Sequence, residues 1–188
     1  MIVFAIQDDY DPLGGPNIGH ELHRHVLSFS NDNTIDEVVD GIYAKFRRYG
    51  LIDCLYLVAH GNAGRVCIGD TLNARNASKF SRLNGAFSSH SRFNSRGIEI
   101  HGCAVASGTE IHPDWLAEYF DIGETGHGTR GNGIGYDFMR LLAQCTQTKV
   151  TGPIDEVYGL NVAFSYRGFP TMTVNPDGTS YFSENKVR

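Results

Sequence analysis

The apolar run at residues 52–60, "IDCLYLVAH", narrows the folds open to this chain more than any other stretch. Apart from Asp53, apolar side chains follow one another there, without the polar alternation of a half-exposed strand. A run of this length and composition is typical of a strand that is buried on both faces. Such strands belong to parallel sheets covered by helices, so the run predicts an α/β fold.

Helical periodicity is clearest over residues 34–49, where apolar residues recur at three- and four-residue spacing. The letters "TIDE" at 34–37 fit a capping box, and Gly50 fits the stop that follows a helix. Further helices are predicted over 76–88, from Pro113 through Phe120, and over 134–146. Helices thus alternate with strand-length runs along most of the chain, as expected of a mainly parallel sheet with helices on both faces.

The remaining strands follow from short apolar runs. They are predicted at residues 2–7, 65–69 (a short strand or hairpin arm), 97–103 and 149–153. The tail, 158–184, changes its period and predicts antiparallel strands around the turn "NPDG" at 175–178. With 188 residues, we expect one domain over 1–188, in which this tail is an antiparallel β appendage to the same sheet.

Charge and cysteine usage limit the partners and the compartment. The formal net charge of −5 and the scattered lysines and arginines argue against nucleic-acid or membrane partners. No run is long enough for a transmembrane helix, and the start "MIVFAIQDDYD" lacks the basic region of a signal peptide. The four cysteines form no CxxC pair, which is typical of reduced thiols, so a cytoplasmic location is predicted.

Two predicted strands end in residues whose chemistry is complementary. The run at 52–60 ends in His60, and the strand at 97–103 ends in Cys103. If a right-handed crossover joins neighbouring parallel strands, both residues emerge at the carboxyl edge of the sheet, where such sheets bind ligands. Neighbouring strands lie about 5 Å apart, so the two side chains can meet. An imidazole beside a thiol favours the thiolate, the attacking form.

Glycine adjoins both residues: Gly61 follows His60, and Gly102 precedes Cys103. Glycine allows a sharp turn and the close approach of a substrate. The backbone N–H groups of Gly61 and Cys103 are then expected to point at a developing oxyanion. Residue types alone leave Cys103 open as a buried core thiol, a metal ligand or a nucleophile. Cys54, Cys67 and Cys145 are predicted to be core or near-surface thiols.

The stretches "VAHGNAGRVCIGD" and "IEIHGCAVASG" resemble caspase-like cysteine peptidases, the group that contains caspases, clostripain, gingipains and separase. They are most similar to an uncharacterised bacterial domain of that group, found near the start of some large surface adhesins, and "FMRLLAQCTQTKVTG" resembles its next helix and strand. The resemblance covers about residues 50–152. The letters "HGCAV" replace the caspase signature Gln-Ala-Cys-x-Gly, so no aspartate specificity is expected.

The resemblance implies a caspase-like three-layer α/β/α sandwich. It also implies a cysteine peptidase in which His60 is the base and Cys103 the nucleophile, with peptide or protein substrates, a thioester intermediate and no cofactor. The alternative is a catalytically silent module of the same fold that binds or recognises a partner. The glycine-rich loop 123–133 follows the nucleophile about where caspases carry their cleaved linker, so it is expected to shape the cleft or to be processed.

Other polar residues leave several roles open. Glu99 and His101 share a strand face with Cys103. His101 can therefore be the base, can support the catalytic residues without touching the substrate, or can pack against a helix with its nitrogens satisfied. Packing is favoured, because side chains two residues apart on a strand point in parallel. A metal site at His20, His23 and His25 is the weaker interpretation of "HELHRH", because zinc-binding spacing and cysteine partners are missing. The candidates for a substrate pocket are Asp155 or Glu156 for a basic side chain and Arg65 or Arg130 for an acidic one.

Overall fold

A computed structural model describes residues 1–7, 25–89, 96–108, 133–154 and 169–184 of the chain. Several predictions fall outside these ranges. They concern the histidines His20 and His23, the helix from Pro113, most of the loop at 123–133, the start of the tail, and the charged residues Arg130, Asp155 and Glu156.

A seven-stranded sheet forms the centre of the described structure. Its strands are β1 (Ile2–Gln7), β2 (Val26–Phe29), β3 (Cys54–Val58), β7 (Gly97–His101), β8 (Val150–Pro153), β9 (Thr171–Val174) and β10 (Ser180–Ser183). Three short strands, β4 (Gly61–Asn62), β5 (Arg65–Val66) and β6 (Leu72–Asn73), make a separate small sheet. β2 was not predicted, because four residues carry too little pattern to separate them from the polar stretch before them.

The strand order of the large sheet is β10-β9-β8-β7-β3-β1-β2. Strands β8, β7, β3, β1 and β2 run parallel, whereas β9 and β10 add an antiparallel hairpin at one side. The prediction of an α/β fold with a mainly parallel sheet and a C-terminal antiparallel hairpin is therefore confirmed. All five residues of β3 are buried, as its apolar run requires.

Helix α1 (Ile35–Tyr49) begins and ends as its sequence predicts. Thr34 is the N-cap, and the reciprocal bonds of a capping box join it to Glu37. Gly50 ends the helix with a positive φ of 94°, a conformation that glycine adopts without strain. Helix α2 (Ile134–Thr146) also has the predicted bounds.

The segment predicted as a helix over 76–88 is instead a 3₁₀ helix, η1 (Ala77–Leu83). Its buried residues, Ala77, Phe80 and Leu83, are spaced by three, which is the repeat of a 3₁₀ helix and not of an α-helix. Serine and asparagine, which compete with helical hydrogen bonds, are frequent here. The 3₁₀ helix ends at Leu83, and the rest of the predicted helix is not helical: Phe87 forms a single parallel bridge with Ile52.

The two faces of the sheet are covered differently. Apolar residues of α1, η1 and α2 pack on one face, over Val3 and Leu55 among others, and form the larger core. The opposite face carries a small cluster of Phe4, Cys54, Tyr56 and Val58, in which the Phe4 and Tyr56 rings stack with centroids 4.5 Å apart. The helices in the described ranges thus cover one face of a sheet that is buried on both.

Candidate functional site

The parallel strands β3 and β7 lead to His60 and Cys103 at the same edge of the sheet. The two strands are parallel, and their last paired residues are Val58 and His101. A hydrogen bond from Ala59 N to His101 O (3.3 Å) carries the contact one residue further. His60 and Cys103 each lie two residues beyond the last pair, so both stand at the carboxyl edge of the sheet. The two strands, predicted to end at His60 and Cys103, end two residues earlier, at Val58 and His101.

The glycines beside these residues bring the two chain segments into direct contact. A Cβ atom on Gly102 would lie 2.9 Å from the Ala59 carbonyl oxygen and 3.4 Å from the Gly61 Cα. A Cβ atom on Gly61 would lie 2.7 Å from Val105 Cγ2 and 3.1 Å from the Cys103 carbonyl oxygen. Larger residues at either position would push the segments apart, so glycine is required for this close approach.

A tight hairpin follows His60 and directs the Gly61 amide. Cys67 N donates to His60 O (2.8 Å), and Gly61 is the next residue in register, opposite Val66. Hydrogen-bonded and non-bonded pairs alternate in an antiparallel ladder. Gly61 therefore occupies a pair whose amides do not bond across the hairpin, and its N–H points away from β5. An amide so oriented is the type of donor that an oxyanion requires.

The segment after Cys103 is a buried turn, residues 103–107, which we call the Cys103–Ser107 turn. Four backbone hydrogen bonds hold it: Ser107 N to Ala104 O (2.9 Å), Gly64 N to Val105 O (3.0 Å), Ala106 N to Pro153 O (2.9 Å) and Gly135 N to Ser107 O (3.0 Å). Its partners outside the turn come from the β4–β5 hairpin, β8 and α2. Cys103 therefore stands at the start of a segment that three separate elements hold in place.

The four thiols differ in burial: Cys54 is buried, whereas Cys67, Cys103 and Cys145 are half-buried. His60 is exposed and Cys103 is half-buried, so both are reachable from solvent. Burial raises the pKa of Cys54 far above that of a free thiol, and it raises the pKa of Cys145 to about 11. Cys145 also donates to the Ala77 and Leu142 carbonyls. Burial thus keeps both thiols in the protonated form at neutral pH.

His101 and Glu99 lie on the sheet face that carries Tyr56, below the candidate site. The His101 side chain is 1% exposed, its ring centroid lies 5.3 Å from that of Tyr56, and its Nε2 lies 3.7 Å from Glu99 Oε2. Arg96 binds the same carboxylate through two bonds, Nε to Oε1 (2.5 Å) and Nη2 to Oε2 (2.7 Å). A histidine enclosed in this way packs within the sheet, whereas His60 is open to solvent.

The stability of the fold should fall in mild acid because of His101. Burial lowers the pKa of His101, and the carboxylate of Glu99 offsets this only in part. As the pH falls below about 6.5, the unfolded chain binds the proton before the folded chain does. This histidine therefore costs up to about 1.4 kcal/mol of stability per pH unit in that window. Urea unfolding between pH 7 and 5 should show a shallower loss for His101→Gln than for the wild type, and equal slopes would contradict the assignment.

Two features of the site were not predicted. Arg96 was not singled out, although an arginine three residues before a strand glutamate is a visible charge pair. Cys67 lies across the hairpin from His60, a neighbour that follows from a two-residue turn at 63–64. The sequence predicted the hairpin arm at 65–69 but not its register, and without the register the position of Cys67 relative to His60 stayed open.

The predicted metal-binding histidines and pocket residues are only partly described by the structure. No group of three or more His, Cys, Asp or Glu side chains within the described ranges has a geometry that could hold a metal ion. His25 is described and its ring packs against Tyr49, with centroids 4.4 Å apart. Arg65 is exposed on β5, in the hairpin that follows His60. It is therefore the pocket candidate that the structure describes near the site.

The chain matches no protein-family model, no curated protein and no solved structure. The resemblance to caspase-like peptidases accordingly stays a prediction. Among the described helices, none is long and apolar enough to cross a membrane. His60 and Cys103 each lie two residues beyond the last paired residues of β3 and β7, at the carboxyl edge of the sheet.

Proposed function

We propose that this protein is a cysteine peptidase in which His60 and Cys103 form the catalytic dyad. The observation that carries the proposal is the register of β3 and β7, which ends at the pair Val58 and His101. His60, which is exposed, and Cys103, which is half-buried, each stand two residues beyond that pair, after the ends of neighbouring parallel strands. The close approach of Gly61 to the Cys103 backbone supports the same site, because the Gly61 amide, which points away from β5, then lies near the proposed nucleophile.

In the proposed reaction, the imidazole of His60 accepts the proton of the Cys103 thiol, and the thiolate attacks the carbonyl carbon of a peptide bond. The carbonyl oxygen becomes an oxyanion, which accepts hydrogen bonds from the backbone N–H groups of Gly61 and Cys103. The C–N bond then breaks, and the imidazolium gives its proton to the leaving amine. Water, deprotonated by His60, hydrolyses the remaining thioester and frees the thiol.

The surroundings favour this pair over the other histidine and thiols. His101 is enclosed between Tyr56 and Glu99, where a substrate proton cannot reach it directly. Burial holds Cys54 and Cys145 in the protonated form. Cys67 is half-buried and pairs across the hairpin with the backbone of His60, so it is the thiol that an experiment must separate from Cys103.

Labelling with iodoacetamide tests the dyad without a known substrate. At pH 7, Cys103 should react at least about tenfold faster than a free thiol, because a paired imidazole raises the thiolate fraction from a few per cent. His60→Ala should lower the rate at Cys103 by about the same factor. Peptide mapping by mass spectrometry assigns the label to each of the four cysteines, and Cys67→Ser serves as the matched control that should leave the Cys103 rate unchanged.

The outcomes separate the proposal from its alternatives. Equal and slow labelling of all four cysteines would overturn the peptidase and favour a silent module of the same architecture that binds a partner. Fast labelling of Cys67 that depends on His60 would identify Cys67, across the hairpin from His60, as the nucleophile in place of Cys103. Only fast, His60-dependent labelling of Cys103 supports the proposed dyad.

A further inference from the structure

The residue directly after the proposed nucleophile has an unusual backbone. Ala104 has φ = 50°, in the left-handed region that residues with a Cβ atom rarely occupy. Among the described non-glycine residues, Thr71 and Gln147 also have positive φ. Gln147 ends helix α2, where a left-handed residue is common. Ala104 ends no helix, is 1% exposed and lies next to Cys103, so its conformation needs another cause.

The packing around the Cys103–Ser107 turn supplies that cause. Val105, the next residue, is fully buried against Gly61, and its carbonyl accepts from Gly64 N. Ala106 N donates to Pro153 O, and the Ser107 carbonyl accepts from Gly135 N. With one side of the turn held by three elements and the other continuous with β7, Ala104 must absorb the change in chain direction. A strained residue persists where its surroundings over-determine it, and such residues cluster at functional sites.

We propose that Ala104 is a positioning residue, whose left-handed backbone conformation, imposed by the packed Cys103–Ser107 turn, fixes the direction of the Cys103 side chain toward His60. This inference rests on the proposed function, since it assigns a role in the same site. The Cβ atom of Ala104 narrows the range of φ and ψ that the position can adopt, whereas a glycine would widen it. The Cβ atom of Ala104 thus costs local backbone strain, and in return it limits the Cys103 side chain to a single orientation.

The variant Ala104→Gly tests the role without threatening the fold. Glycine adopts positive φ without strain, so the thermal midpoint should stay within about 3 °C of the wild type or rise. The rate of iodoacetamide labelling at Cys103 should nevertheless fall at least about fivefold, because small losses of alignment are costly in a reactive pair. The pH midpoint of that labelling should also rise toward the value of a free thiol. A purely structural role would move neither the rate nor the midpoint in a protein of unchanged stability.

Gln147→Gly is the matched control, because it relieves the same kind of backbone strain at the far end of α2. It should leave both the rate and the pH midpoint of Cys103 labelling unchanged. If wild-type Cys103 reacts fast and Ala104→Gly reacts as fast with the same midpoint, the positioning role is wrong and the dyad stands. If wild-type Cys103 reacts no faster than the other thiols, the dyad and the positioning role are both wrong.

Discussion

Gly135→Ala should destabilise the protein by about 3 kcal/mol, the upper part of the range for an added group in a well-packed region. Gly135 is buried in the first turn of α2, where the helix meets the Cys103–Ser107 turn. A Cβ atom there would overlap the Ser107 carbonyl oxygen and would lie 2.6 Å from both Ala106 C and Val105 O. All three atoms are backbone, so the helix or the turn must move as a unit.

Gly41→Ala provides the comparison, because Gly41 is also an interior glycine of a helix. Its added Cβ atom would lie 3.2 Å from Phe29 Cζ, a side-chain atom that can shift. The gain in helix propensity, about 1 kcal/mol, offsets the tight contact, so the net change should be less than about 1 kcal/mol. Urea unfolding followed by far-UV circular dichroism measures both variants. Equal losses of stability in the two variants would show that α2 is not closely packed against the Cys103–Ser107 turn.

Arg96→Ala should cost about 2 kcal/mol of stability at pH 7. The carboxylate of Glu99 is 8% exposed and depends on the paired bonds from Arg96. Removing one partner of a buried ion pair costs about 3–5 kcal/mol, because the other charge is left without compensation. The Arg96 side chain is 43% exposed, so water replaces part of its contribution and the cost is lower.

The double variant separates the charge from the packing of Arg96 on the Tyr56 ring, whose centroid lies 5.4 Å from the guanidinium carbon. Adding Glu99→Gln to Arg96→Ala removes the uncompensated charge and should restore at least half of the lost stability. Glu99→Gln alone should cost less than Arg96→Ala, since the half-exposed guanidinium regains water. If the double variant is no more stable than Arg96→Ala, the loss comes from packing and the ion pair contributes nothing.

Much of the fold could be predicted from local patterns. The capped helix α1, the helix α2, the buried strand β3 and the tail hairpin of β9 and β10 all lie where periodicity predicted them. Errors arose where the pattern was short or ambiguous: η1 has a three-residue repeat that a short window does not separate from an α-helix. Local periodicity reports which face of an element is apolar, and a four-residue strand such as β2 holds too few positions to report it.

The candidate site, like the fold, could be predicted only in part from the sequence. Two apolar runs that end in His60 and Cys103, each beside a glycine, were visible in the sequence, and the rules for parallel sheets predicted that they reach one edge. The sequence did not predict that β3 and β7 end at the same pair, Val58 and His101, which lies two residues before both His60 and Cys103. Nor did it predict which histidine is enclosed: His60 and His101 both adjoin glycine, and only the packing of Tyr56 and Glu99 around His101 distinguishes them.

The amino-acid order therefore decides what each segment is and which polar residues stand at its end, because burial and hydrogen bonding within a segment depend on its own residues. The register between strands, the contacts between distant residues and the strained backbone of the turn were decided only by the packing of the segments against one another. The approach of Gly61 to Cys103, the Arg96 bonds to Glu99 and the left-handed backbone of Ala104 each depend on residues distant in the chain or on several elements at once. A cysteine in "IEIHGCAVASG" becomes a candidate nucleophile because "LVAHG" lies beside it in register, a relation between strands that neither stretch contains alone.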